Sequence, residues 1–309
     1  MSHHPYRTFR TTVSRISRLS PSFTRITLAG PDLEHFGTDG LDQRIKLIIP
    51  FADGTVTDVG QFDESQSMVE WYRRWRELPD DQRNPIRTYT IRSPRPVERE
   101  IDIDFALHGT DGPASAWAMA ARVGDPLFVV GPDSRSEEPA GGVEWKPGEA
   151  TSVLIAGDET AAPAICSIVE SLPAHTIGEV CIEVPTDADA LPLAAPEGVR
   201  VTWLARGGAA HGVRLSAAVH EWGRQRGAAS AAVAGTGRAP ASRSDLAEPD
   251  PDDVLWEVPD AVADGEYAWL AGEAGTITAL RRHLVRDLGI DRRSIAFMGY
   301  WRKGRAEGA

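Results

Sequence analysis

The hydrophobic pattern of this chain changes character once, between Gly131 and Glu149, and that change dictates two folds rather than one. Upstream, apolar and polar residues alternate in short runs broken by turns, the period of strands with one wet face. Downstream, apolar residues come in near-continuous runs separated by helical stretches, as in a parallel sheet covered on both sides. The segment between is rich in Pro, Gly, Glu and Ser, a linker composition. The division places a first domain over residues 1–134, a linker over 135–149 and a second domain over 150–309.

In the first domain, strands are expected at Thr8–Ile16, Phe23–Leu28 and Arg44–Pro50. A helix is expected over Ser67–Leu78, where Met68, Trp71, Trp75 and Leu78 share one side and Pro79 ends the run. Strands Thr88–Arg92, Ile101–His108 and Pro126–Val130 follow. Helix Pro113–Arg122 lies between the last two, its proline in the first turn where a missing N–H is harmless. Short strands, turns and one late helix favour a closed antiparallel β-barrel.

The second domain reads as α/β and Rossmann-like, with strands Thr151–Ala156, Glu179–Val184, Val199–Ala205, Tyr267–Ala271 and Ile295–Tyr300. Helices Ala161–Leu172, Leu215–Arg226 and Thr276–Leu288 alternate with them. Ligands of such sheets bind at the carboxyl ends of the strands. Gly157, Gly272 and Gly299 stand at three of those ends, which suggests a nucleotide crevice. Residues 227–264, rich in Ala, Pro, Asp and Ser, read as a loop insertion. Gly235-Thr236-Gly237 within it has no preceding strand and no third glycine.

Formal net charge is −12. Such a surface argues against nucleic acid, which demands a basic face, and any anionic ligand needs a local cationic site. Cys166 and Cys181 are too few for a zinc or iron–sulfur centre and fit core positions in a reducing compartment. The first residues carry no apolar leader and no run reaches membrane-spanning length, so a cytoplasmic protein without membrane insertion is expected.

The chemistry concentrates in Arg87-Thr88-Tyr89-Thr90-Ile91-Arg92 and in the glycine-rich turn Gly109–Gly112 that opens a helix at Pro113. Alternation puts Arg87, Tyr89 and Ile91 on one side of the strand and Thr88, Thr90 and Arg92 on the other. A helix start offers free N–H groups and a positive dipole end to a phosphate. An aromatic and a hydroxyl for a flat ring, an arginine for charge and a diphosphate cradle together suggest a flavin dinucleotide.

These residues, with Asp104–Gly109, Gly112–Trp117, Gly157–Thr160, Ala271–Glu273 and Gly299–Arg302 in that order, resemble the siderophore-interacting proteins of the ferredoxin-reductase-like superfamily. The resemblance runs from about Tyr6 to Glu307 and implies FAD, NAD(P)H and a ferric siderophore. It implies Tyr89 packing on the flavin, Thr90 near its reactive nitrogen, and Arg87, Gly112 and Ser115 at the diphosphate, with His108 a further candidate. Gly157, Asp158 and Thr160 would approach the nicotinamide nucleotide's pyrophosphate, and Gly272 and Glu273 its nicotinamide. Arg206 stands where a 2′-phosphate would lie, the alternative being a solvated arginine. Trp301 would shield the flavin. Lys46, with Arg44, would meet the anionic chelate, and Arg135, near the position of the usual linker arginine, is a further substrate candidate. No acid, base or nucleophile is required, because the flavin carries the electrons. A flavin reductase, an electron-transfer flavoprotein partnered by ferredoxin, or a chelate-binding protein without turnover are the alternatives.

Overall fold

A computed structural model describes residues 3–37, 40–110, 112–233, 256–259 and 265–304. They divide into two compact units, one ending at Val143 and one beginning at Glu144. No described helix is long and apolar enough to cross a membrane.

The first unit holds an antiparallel sheet of seven strands. These are β1 (Tyr6–Arg18), β2 (Phe23–Ala29), β3 (Arg44–Ile48), β4 (Ile86–Thr90), β5 (Ser93–Arg95), β6 (Glu100–Ala106) and β7 (Pro126–Pro132). Their spatial order is β4-β3-β7-β1-β2-β6-β5. The expected closed barrel is therefore, by hydrogen bonds, a curled sheet with two edges. The edges are nonetheless one stretch of chain, because β4 runs through Ile91 and Arg92 directly into β5. The Ile91 N–H donates to Gln43 O (3.1 Å) at one edge and the Arg92 N–H to Asp102 O (2.9 Å) at the other. The strand expected at Thr88–Arg92 thus begins and ends earlier, since its last residues make the crossing. The short β5 contains Pro94, which an edge strand tolerates. Inward-facing Phe9, Ile26, Ile45, Leu47, Ile103 and Phe105 form the core.

Helix α1 (Met68–Glu77) starts at a capping box in which Ser67 and Glu70 satisfy each other's N–H groups. It buries Trp71 against Ile48, Ile86 and Val130. Helix α2 (Pro113–Ala120) begins at Gly112 with no side-chain cap.

The second unit comprises β8 (Ser152–Gly157), α3 (Ala162–Glu170), β9 (Ile177–Val184), β10 (Val199–Ala205), α4 (Val213–Val233), β11 (Trp256–Glu257), β12 (Glu266–Glu273), α5 (Ala274–Arg282) and β13 (Ile295–Trp301). The sheet order is β10-β9-β8-β12-β13-β11, parallel except for β11. The order reverses between β8 and β12, the switch point where doubly wound sheets bind ligands.

Several further boundaries differ from expectation. Helix α4 runs through Gly227 to Val233, because the alanine-rich run that reads as loop by composition is also the best helix former. Trp256–Glu257 pairs with β13, while Gly235-Thr236-Gly237 lies outside the described residues. Within the expected linker, Glu144–Lys146 belongs to the second unit. Trp145 is buried against Tyr267, whose hydroxyl donates to Glu144 O (3.3 Å) and accepts from the Lys146 N–H (3.3 Å).

Candidate functional site

In the first unit the candidate residues gather on β3, β4 and the start of α2. Register pairs Arg44 with Thr90, Ile45 with Tyr89, Lys46 with Thr88 and Leu47 with Arg87. Cross-strand partners share a face, so Arg44, Lys46, Thr88 and Thr90 line one side of this pair and Tyr89 and Arg87 the other. The Lys46 ammonium lies 3.3 Å from Thr88 Oγ1 and 5.8 Å from the Tyr72 ring centroid on α1. Tyr89 packs on Phe105 (centroids 4.6 Å), which in turn meets Trp117 (5.9 Å), so Trp117 is a packing residue. Arg87 donates from Nη1 to the Ile86 carbonyl (2.9 Å) and is half-buried. Arg92 sits beside Asp104, which also takes a two-pronged pair from Arg25.

The turn before α2 is held by Ser115. Its hydroxyl donates to Gly109 O (2.7 Å) and accepts from the His108 N–H (3.2 Å). That hydroxyl is therefore occupied within the loop, and what Ser115 offers an anion is its backbone. Gly112 lies so close to the His108 ring that a Cβ there would come within 3.0 Å of Cε1. His108 is thus a wall of the turn. The first N–H groups of α2 have no side-chain cap, and this fits the diphosphate of FAD, with Arg87 and Tyr89 on the neighbouring strand.

Arg135, expected to meet substrate, is instead paired with Asp133 (2.6 Å) and Glu64 (3.0 Å). Both acids also pair with Arg7. The carboxylates compensate these cations, so Arg135 supplies no uncommitted charge.

In the second unit, Asp158 is a bracket joining three strand ends. Its Oδ1 accepts from the N–H (2.9 Å) and hydroxyl (2.5 Å) of Thr160, and its Oδ2 from the Glu273 N–H (2.8 Å) and Trp301 Nε1 (2.8 Å). Burial and the adjacent Glu159 push the Asp158 carboxyl above its ordinary range, while the bonds from Thr160 and Trp301 pull it down. A register shift helps deliver the indole. Gly272 faces Gly299 but Glu273 faces Trp301, so Tyr300 is an extra residue in β13. Such a bulge re-aims the next side chain. Trp301 also meets His211 edge-on, with centroids 5.0 Å apart.

The glycines of this region divide into two kinds. At Gly157 a Cβ would stand 2.6 Å from Ala271 O, and at Gly272, whose φ is +144°, 2.6 Å from Asp158 Oδ2. These two, expected to admit a nucleotide, are required by the chain's own packing. Gly207 and Gly208 have positive φ, and no atom of the described residues lies within 4 Å of where their Cβ atoms would stand. They form open backbone at the end of β10, a surface that fits a flat nucleotide. They follow a strand and precede a helix but lack the spacing of a dinucleotide glycine motif, so sequence pattern does not single them out.

Arg206 is neither solvated nor uncommitted. It is 7% exposed and holds Glu159 with both terminal nitrogens (2.6 and 2.7 Å), with Glu183 at 3.4 Å. Glu183, fully buried, accepts from the N–H groups of Gly212 (2.8 Å) and Leu215 (2.9 Å) and so caps α4. Glu273 caps α5 through the Thr276 N–H (2.8 Å). Burial works against its charge, but the N–H groups of Thr276, Gly275 and Lys303 prevail and hold its carboxyl low.

Residues 12–136 match the siderophore-interacting FAD-binding domain, and residues 150–304 match the siderophore-interacting protein domain. The ferric vibriobactin reductase ViuB of Vibrio cholerae is 27% identical over 94% of this chain and 88% of its own length. An NADPH-dependent ferric-chelate reductase of Escherichia coli is 32% identical over 66% of this chain and 74% of its own. The crystal structure of the siderophore-interacting protein SipS from Aeromonas hydrophila superposes with a TM-score of 0.64 at 29% identity, covering 97% of this chain and 94% of that one. With both of its units matched in order, this chain belongs to the siderophore-interacting protein family.

Proposed function

We propose that this protein is a flavin-dependent ferric-siderophore reductase that releases iron as Fe(II), with electrons drawn from NAD(P)H. The observation that carries the reading is the register of β3 on β4. It sets the cations Arg44 and Lys46 directly across from Thr90 and Thr88 on the flavin strand. Bound FAD supplies the conversion between a two-electron hydride donor and a one-electron acceptor. Ferric iron is held tightly by the hard oxygen donors of a siderophore and ferrous iron weakly, so reduction frees the metal and spares the chelator.

The chain's own residues have binding and placing roles. The open start of α2 and Arg87 take the diphosphate, Tyr89 presents a ring supported by Phe105, and Thr90 offers a hydroxyl. Lys46 and Arg44 give an otherwise acidic protein a local attraction for an anionic chelate. Anaerobic reduction of the flavin-loaded protein by NADH or NADPH should bleach it. Addition of a ferric siderophore should then restore the colour and yield trapped Fe(II). A reduced protein reoxidised by oxygen or free flavin but by no ferric chelate would instead be a flavin reductase.

Arg87→Ala is expected to weaken FAD binding by about 1.5–3 kcal/mol, the worth of one charge-assisted contact. Fluorescence titration of the stripped protein measures this, and unchanged affinity would remove Arg87 from the diphosphate. Lys46→Ala is expected to slow reduction of anionic ferric chelates about twofold to tenfold while bleaching by the nicotinamide stays as it was. The deficit should shrink with salt, since the Debye length falls from about 10 Å at 0.1 M to about 3 Å at 1 M. Stopped-flow comparison with a neutral chelate tests it; equal slowing of both would deny the electrostatic role.

A further inference from the structure

We infer that the crevice at the carboxyl ends of the second unit's sheet selects a dinucleotide without a 2′-phosphate, NADH rather than NADPH, and that Glu159 is the selecting residue. The inference rests on the nicotinamide-dependent reading above. A dinucleotide lies across the switch point of a doubly wound sheet, and its adenosine 2′ position is read by a carboxylate when it is a hydroxyl and by an arginine when it is a phosphate.

Here the arginine is present but already engaged. Arg206, at the end of β10, is buried and held on two prongs by Glu159, with Glu183 beside it. Two carboxylates on one guanidinium leave the spot negative, and Asp158 adds a further acid next in the chain. Of the helix starts, which are the other acceptors of phosphate, those of α4 and α5 are taken too, while that of α3 carries no side-chain cap. Glu183 occupies that of α4 and Glu273 that of α5. The protein's own carboxylates thus fill the places where a 2′-phosphate would bind and repel it as well. A ribose hydroxyl meets the opposite situation. It donates, and Glu159 holds Arg206 with one contact per oxygen, leaving lone pairs on each. Gly207 and Gly208 alongside leave the backbone bare for an adenine. His211, 3.9 Å from Glu159, and Arg214, exposed on the first turn of α4, are cationic candidates outside the Arg206 pair that could answer a phosphate.

The test is equilibrium binding of ADP-ribose and of 2′-phospho-ADP-ribose to the flavin-loaded protein by calorimetry, with Glu159→Gln and Arg214→Ala alongside. ADP-ribose should bind about tenfold tighter or more, and Glu159→Gln should close most of that gap by removing a charge and loosening Arg206. Equal or tighter binding of the 2′-phosphate form would overturn the selectivity, and its loss in Arg214→Ala would identify the true reader. A gap that Glu159→Gln leaves untouched would overturn the assignment to Glu159. If neither fragment binds and neither NADH nor NADPH bleaches the flavin, the nicotinamide reading falls together with this one.

Discussion

Asp158→Ala is expected to cost the second unit about 3–5 kcal/mol, because it orphans donors from two strands and from the turn after a third at once. The N–H and hydroxyl of Thr160, the N–H of Glu273 and the indole N–H of Trp301 all converge on this one carboxylate. Asp158 is buried and its donors are half-buried, so water cannot re-create four correctly aimed contacts without the ends separating. Asp158→Asn keeps the shape and relieves the repulsion from Glu159, but it presents an NH₂ to donors on one side. Its loss should be about half as large. Urea unfolding followed by tryptophan fluorescence measures both. A loss below about 1 kcal/mol for the alanine variant would show that the three strand ends hold together without the bracket.

Arg206→Leu is expected to destabilise by a similar amount, about 3–5 kcal/mol, for a different reason. The leucine fills volume, but Glu159 and Glu183 are left facing each other with their compensating charge removed. Glu183 cannot turn to solvent, because its two oxygens hold Gly212 and Leu215 at the start of α4. The double variant Arg206→Leu with Glu159→Leu should recover much of the loss, since an isolated charge costs more than an absent pair. If the single variant melts like the parent protein, the buried pair is not a strut.

The sequence made the architecture legible because its two hydrophobic periods differ so plainly. Val199–Ala205 was expected as a strand and is one to the residue. Helix α1 follows from Met68, Trp71 and Trp75 and from its capping box. Composition misled at two places. The alanines of 227–233 continue a helix, and Trp145 anchors part of an expected linker through an aromatic contact to Tyr267, 122 positions further on. Patterns report residue types along the chain, and neither outcome is local.

The candidate site was legible where one strand carries it and obscure where several elements do. Arg87, Tyr89 and Thr90 fall on the faces that alternation assigns. Nothing adjacent to Arg206 announces that Glu159, 47 residues away, will hold it, nor does anything near Arg135 announce its pairing with Glu64, 71 residues away. A charged residue's availability depends on partners that only the fold brings together. Glycine identity was likewise ambiguous. Gly157 and Gly272 are fixed by internal crowding, whereas Gly207 and Gly208 face open space.

The crossing at Ile91 and Arg92 gives the barrel the construction of a strapped hoop. The flavin strand is the strap, and its buckle is a pair of single hydrogen bonds, one to each rim. A barrel closed by a full ladder would open only by breaking many bonds together, whereas here two hydrogen bonds, the chain crossing and the shared apolar core hold the rims. On the proposed reading, a cofactor held by Arg87, Tyr89 and Thr90 would lie on the strap just before the buckle. It binds the fastened hoop and has no comparable purchase on an open one, so cofactor retention and barrel closure draw on the same free energy. The flavin would then be a structural tie as well as an electron carrier, and the protein stripped of it is expected to be the more readily cleaved by protease.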